Sequence, residues 1–175
     1  QSVVTRTAGF NSVDTSMLYD TTAFIIIILM FVGGSPGSTA GGVKTTTFGT
    51  IILATLSVIR GDKDVVVFKK RLNQNIINRS LAIVSIGLTL ILAVSVILTI
   101  TEDANFLDVL FETTSAFGTV GLSRGITSNL SDIGKITIAL TMYAGRVGAL
   151  TMAFAFAQKK NQYPYRYSEG NIMVG

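Results

Sequence analysis

The sequence predicts an all-α membrane protein in which membrane spans flank a short re-entrant helix and one crossing is broken by a glycine-rich loop. Three observations predict it. Charged side chains make up 14% of the chain against 49% hydrophobic ones, with a mean hydropathy of +0.56, where an ordinary soluble domain is about 25% charged. The apolar residues fall in uninterrupted runs of about 20, the length that crosses hydrocarbon, rather than in amphipathic stripes. The longest of these runs is interrupted by a ten-residue stretch with five Gly and a Pro. The chain also has no His, Cys or Trp, which excludes imidazole and thiolate metal sites, a Ser-His-Asp triad, cysteine nucleophiles and disulfides.

The elements follow in order. Between residues 21 and 59 the only charge is Lys44. As one straight helix these residues would measure about 58 Å, nearly twice the hydrocarbon thickness. The break is Gly33-Gly34-Ser35-Pro36-Gly37-Ser38-Thr39-Ala40-Gly41-Gly42, where Gly and Pro leave helical hydrogen bonds unmade. A helix over about 14–32, a loop and a second helix over 43–59 result. Residues 60–79 form a basic linker with Arg60, Lys63, Lys69, Lys70, Arg71 and Arg79. Residues 81–101 are uncharged and make the cleanest span; residues 136–157 make another, with Arg146 as its one charge. Between them, 105–117 is too short to span and long enough to enter and stop.

The basic linker and the tail, with Lys159, Lys160 and Arg166, outweigh the segment 101–131, which has only Arg124. The positive-inside rule therefore puts the linker and the C-terminus in the cytoplasm of a multi-pass cell-membrane protein. This accounts for most of the net charge of +4, so no nucleic-acid partner is expected. Tyr163, Tyr165 and Tyr167 in the tail 158–175 read as an anchor at the lipid interface.

One internal repeat stands out: Thr7-Ala8-Gly9-Phe10-Asn11 and Thr119-Val120-Gly121-Leu122-Ser123, each preceding a long membrane helix, the second following the short helix. Irregular backbone at membrane depth is tolerated where it lines water or is buried in protein. Inward carbonyls of such a strand can replace the hydration shell of a monovalent cation, and the short helix would turn the negative end of its dipole toward it. The expected cation ligands are the carbonyls of Thr7, Ala8, Gly9, Thr119, Val120 and Gly121, with Phe10 and Leu122 completing the filter strands.

These strings, together with Gly33 to Thr45, Phe111-Glu112-Thr113-Thr114-Ser115-Ala116-Phe117-Gly118 and Tyr143-Ala144-Gly145-Arg146-Val147-Gly148, resemble the Trk/Ktr/HKT superfamily of potassium transporters, and within it the bacterial KtrB-type membrane subunits. The resemblance implies span, pore helix, filter and span repeated four times around one pore. Residues 1–59 would end the third repeat, 60–79 would be a cytoplasmic linker, 80–157 would be the fourth repeat and 158–175 the cytoplasmic tail. It further implies potassium as the transported ion with no covalently bound cofactor, a homodimer of pore subunits in membrane lipid, and a cytoplasmic nucleotide-binding regulatory ring (KtrA-like). Gly9 and Gly121 look like the potassium-selective pattern.

The loop admits a rival, since residues 37–45 nearly spell a phosphate-binding loop and would make the chain a membrane-bound nucleotide hydrolase; Val43 between Gly42 and Lys44 breaks that motif. A loop inside a single crossing instead leaves both Thr-x-Gly copies at the outer mouth and places residues 33–42, with Lys44, beneath them, where the resemblance implies an intramembrane gate. Arg146 falls near the bilayer centre, where a charge costs at least about 2.5 kcal/mol and seeks protein or water; it is expected to bond the loop carbonyls and hold the gate shut. Glu112 and Asp108 are expected to anchor the short helix, and Asp20 to be paired or water-facing.

Overall fold

The computed structural model describes Gly9 and residues 15–38, 40–62, 64–67 and 70–148. Thr7, Ala8, Phe10, Thr39, Lys63, Lys69 and the whole segment from 149 onward lie outside the described residues. Among the described residues, five α-helices run in order: α1 (Asp20–Phe31), α2 (Thr45–Arg60), α3 (Gln74–Thr101), α4 (Phe106–Gly118) and α5 (Asp132–Val147), with a two-stranded antiparallel hairpin, β1 (Val66–Val67) and β2 (Lys70–Arg71), between α2 and α3.

The 28-residue α3 is, among the described residues, the helix long and apolar enough to cross a membrane, whereas α1 and α2 are shorter apolar helices. It starts at an Asn73 cap, whose side chain accepts the Asn75 N–H at 3.0 Å. It therefore begins seven residues before the uncharged run and takes in Arg79 from the expected linker, because the absence of charge marks hydrocarbon while the cap marks the helix. The rest of the linker folds back through the β1–β2 hairpin, braced by an Asp64–Arg71 ion pair of 2.8 Å.

The 12-residue α1 begins six positions later than about 14, after a 3-10 turn at Thr15–Met17 and an extended Tyr19. Ala23, Ile26, Ile27 and Met30 are buried along one stripe, while Phe24, Ile25 and Ile28 on the other side are exposed. A helix apolar on all faces belongs in a protein core or a membrane. The same holds for α3, which buries Ile91, Val94 and Leu98 and exposes Leu88, Leu92 and Val96.

The centre of the fold is α4, which packs against α1, α3 and α5. Its Phe111 meets the α1 stripe, its Val109 and Ala116 meet Val94, Leu98 and Ile138, and its Phe117 meets Ile91 and Val43. Thr113, Thr114 and Ser115 are also buried on it. The two threonine hydroxyls donate back to the carbonyls of Val109 and Leu110 at 2.7 and 2.8 Å, so these polar groups are satisfied within the helix. At 13 residues α4 measures about 20 Å, too short to cross the membrane, and its bounds agree with the short helix expected over 105–117.

The glycine-rich loop leaves α1 and enters α2 through a parallel β-bridge between Val32 and Val43. Gly33 N donates to Val43 O at 2.8 Å, Val43 N to Phe31 O at 3.1 Å and Thr45 N to Gly34 O at 3.2 Å. A parallel bridge means that the chain leaves the loop heading as it entered. In keeping with that, α2 packs on α3 while α1 packs on α4, and α1 and α2 are not a packed pair; a helical hairpin would have set those two side by side.

Candidate functional site

The site is built where α4 ends. Thr119 takes the left-handed conformation (φ 54°, ψ 38°), its N–H bonding Ala116 O at 3.0 Å while Val120 N bonds Ser115 O at 2.9 Å. The chain thus turns sharply out of the helix. Val120 and Leu122 bury their side chains against Ile26, Ile27 and Phe111, and the Ser115 hydroxyl accepts the Leu122 N–H at 3.0 Å. Residues 119–122, the expected filter strand, are held from the protein side, while Gly121 (φ 85°) is exposed, with nothing within 4 Å of where a Cβ would stand.

Gly9, the described residue of the first copy of the repeat, meets the second copy here. Gly9 (φ 64°) lies so close to the Val120 carbonyl that any Cβ on it would collide with that oxygen. Only glycine supplies both that backbone conformation and that approach.

The glycine-rich loop sits on the same helix end. Gly41 N donates to Thr119 Oγ1 at 3.0 Å, and a Cβ on Gly41 would stand 2.9 Å from Phe117 O. Lys44 Nζ reaches back to the loop's own carbonyls, Ser38 O at 3.0 Å and Ala40 O at 2.6 Å. Ala40 N donates to Ser38 Oγ at 3.2 Å, and Ser38 N to Ser35 O at 3.0 Å. Gly33, Gly34, Pro36, Gly37 and Gly42 complete the described loop. From the third side, Gly145 of α5 lies so close that a Cβ there would strike the Phe117 carbonyl oxygen; small residues allow such backbone contact between membrane helices. The Phe117 ring stacks on Phe31, with centroids 6.2 Å apart.

Within the described residues, α5 starts at Asp132 and ends at Val147, capped by Gly148 at φ 93°; the rest of the run expected over 136–157 lies outside them. Arg146 therefore occupies the last turn, where the negative end of the helix dipole favours a cation, and its side chain is exposed. The residue beside it, Gly145, is the one pressed against α4.

On the other side of the strand, Thr127 Oγ1 lies 2.6 Å from Glu112 Oε1 and 2.6 Å from Ser123 Oγ, linking buried Glu112 to the segment after the strand. Thr15 Oγ1 donates to Ser123 O at 2.5 Å. Arg124 makes ion pairs with Asp108 at 3.1 Å and Asp20 at 3.3 Å; its Nη2 also donates to Leu18 O at 3.4 Å. Sequence reasoning assigned Arg124 no role. The available signal was that it is the one basic residue of 101–131, in a chain that carries Asp20 and Asp108 nearby in the fold but far off in sequence.

Residues 1–165 match the TrkH family, described as cation transport proteins. The chain belongs to this family. The TrkH family is one of cation transport proteins rather than of enzymes. The chain is 42% identical over all 175 residues to the Ktr system potassium uptake protein D of Bacillus subtilis, of which it covers 39%. To the Ktr system potassium uptake protein B of Vibrio alginolyticus it is 39% identical, covering all of this chain and 38% of that protein. To the potassium/sodium uptake protein NtpJ of Enterococcus hirae it is 37% identical, covering 99% of this chain and 40% of the relative. The chain thus spans about two fifths of the length of these TrkH relatives. The nucleotide-hydrolase reading of residues 37–45 finds no support among them. The geometry also runs against it: a helix rather than a strand leads into the loop, and the lysine that would meet a phosphate is engaged by the loop's own carbonyls.

Proposed function

We propose that the chain is the C-terminal part of a potassium-translocating membrane subunit, contributing two of the strands that form a carbonyl filter. The observation that carries this reading is the approach of Gly9 to Val120, since a filter needs its strands side by side around one axis and two turns connecting separate helices do not. The cation ligands are the carbonyls of Thr7, Ala8, Gly9, Thr119, Val120 and Gly121 at the outer mouth, with α4 as the pore helix that turns the negative end of its dipole toward them. Glu112 anchors that helix through Thr127. The loop 33–42, with Lys44, closes the path beneath the filter, and Arg146 at the end of α5 adds a positive charge to that barrier. The broken crossing of α1 and α2, the cytoplasmic linker and the span of α3 belong to successive pore repeats. The complete subunit acts as a homodimer with a cytoplasmic nucleotide-binding ring, in keeping with relatives named as components of Ktr systems.

Gly121→Ser in the full-length transporter tests the filter. A serine there fits the open space but resists φ 85° and adds a hydroxyl beside the ligand carbonyls, so potassium flux relative to sodium flux in reconstituted vesicles should fall. An unchanged ratio overturns the filter assignment.

A further inference from the structure

We propose that Arg124 is a positioning residue that sets the selectivity of the filter strand by clamping its outer end to two other helices; this rests on the reading of residues 119–122 as a filter. Arg124 follows the strand by two residues, and its side chain is only 10% exposed. Its guanidinium pairs through Nε with Asp108 of α4 at 3.1 Å and through Nη1 and Nη2 with Asp20 of α1 at 3.3 Å, with Leu18 O as a further acceptor at 3.4 Å. Asp108 and Arg124 are both largely shielded from solvent, so their attraction is screened less than that of an exposed pair. The Asp20 arm is exposed and contributes less.

The inner end of the strand is fixed by the covalent exit from α4, and its last residue, Leu122, by the bond to Ser115. Arg124 is the charged fixture of its outer end, and it does what the hydroxyl contacts of Ser123 do not: one planar group engages α1 and α4 simultaneously. Discrimination between cations of different radius depends on the spacing and field of the carbonyls, so loosening this end widens the range of carbonyl positions. A lysine keeps the charge but cannot present the fork that bonds Asp20 and the Leu18 carbonyl while its Nε edge stands 3.1 Å from Asp108 as an ion pair. The cluster of one guanidinium and two carboxylates carries a net negative charge, which makes the rival role testable: if Arg124 acted only by its charge on passing ions, Arg124→Lys would behave as wild type and Arg124→Gln would only raise cation entry at low ionic strength.

The experiment compares the potassium-to-sodium flux ratio of the full-length transporter in reconstituted vesicles for wild type, Gly121→Ser, Arg124→Gln, Arg124→Lys, Asp108→Asn and the double variant Arg124→Gln/Asp108→Asn, at matched folded protein. Arg124→Gln should lower the ratio several-fold, Arg124→Lys by less, and the double variant by no more than Arg124→Gln alone, as expected for residues acting as one unit. If Arg124→Gln fails to fold, Asp20→Ala, which removes only the exposed arm, takes its place and should lower the ratio by a smaller factor. If Gly121→Ser lowers the ratio while the Arg124 variant, or its Asp20 substitute, keeps it, the clamp is wrong and the filter reading stands. If Gly121→Ser keeps it as well, the filter reading falls and takes the clamp with it.

Discussion

The contact between the glycine-rich loop and the strand can be tested through one hydroxyl. Thr119→Val keeps the shape of the side chain but removes the acceptor that Gly41 N reaches at 3.0 Å. Gly41 is buried, so in the loop position described here its N–H would be left without that partner. A net hydrogen bond of about 0.5–1.5 kcal/mol corresponds to about a 2- to 12-fold shift in the balance between this loop position and any position that frees it. If the loop closes the path when so placed, potassium flux in vesicles without any regulatory partner should rise within that range. Thr119→Ser, which keeps the hydroxyl, should stay at the wild-type rate, and this separates the hydrogen bond from loss of the γ-methyl. The potassium-to-sodium ratio is measured alongside, since Thr119 also belongs to the strand. Flux that is unchanged or lower in Thr119→Val, with Thr119→Ser normal and protein levels equal, refutes the argument that this bond latches the loop.

Other expectations follow from the same geometry. Arg146→Ala should raise flux, by loss of a positive charge at the barrier, and Arg146→Lys should give an intermediate value if the planar fork matters; flux unchanged or reduced at equal protein level rules out the gating role. At the junction of α3 and α5, the Ser131 hydroxyl, then the Ser131 N–H, hold the Glu102 carboxyl below its usual range; the bonds are 2.5 and 2.9 Å. A depressed folded value means that this stabilisation is present above the ordinary glutamate range and is lost as pH falls through the folded value. Glu102→Gln should therefore melt earlier than wild type in detergent near neutrality, and the gap should close in strong acid; a gap that persists there refutes this assignment.

What the sequence made legible, and what it did not, divides along physical lines. The short helix was readable because Asn105 and Gly118 punctuate it and because its length falls below that of a span. The broken crossing was readable because five glycines and Pro36 in ten residues admit no helix. Helix ends were read less well. Absence of charge measures hydrocarbon rather than helix, so the uncharged run falls short of the start of α3 at its Asn73 cap, and the apolar run continues past Gly148, where α5 stops. The Thr-x-Gly copies are visible as a repeat, but the contact of Gly9 with Val120 spans 111 positions, about as remote as that of Arg124 with Asp20, which are 104 apart. No periodicity encodes such pairs; they depend on how α1 lies against α4.

The parallel bridge at Val32 and Val43 makes the glycine-rich segment a bud on a continuous stem. Three backbone bonds at its neck hold together the two helices it interrupts, so the bud can change shape, or length, while the stem keeps its alignment. If this segment is the gate proposed above, opening it moves about ten residues instead of swinging a membrane helix through lipid. Its motion then belongs with loops, at nanoseconds to microseconds, and not with collective helix movements, which take microseconds to milliseconds. Rapid switching would then come from the neck, which separates what moves from what bears the load.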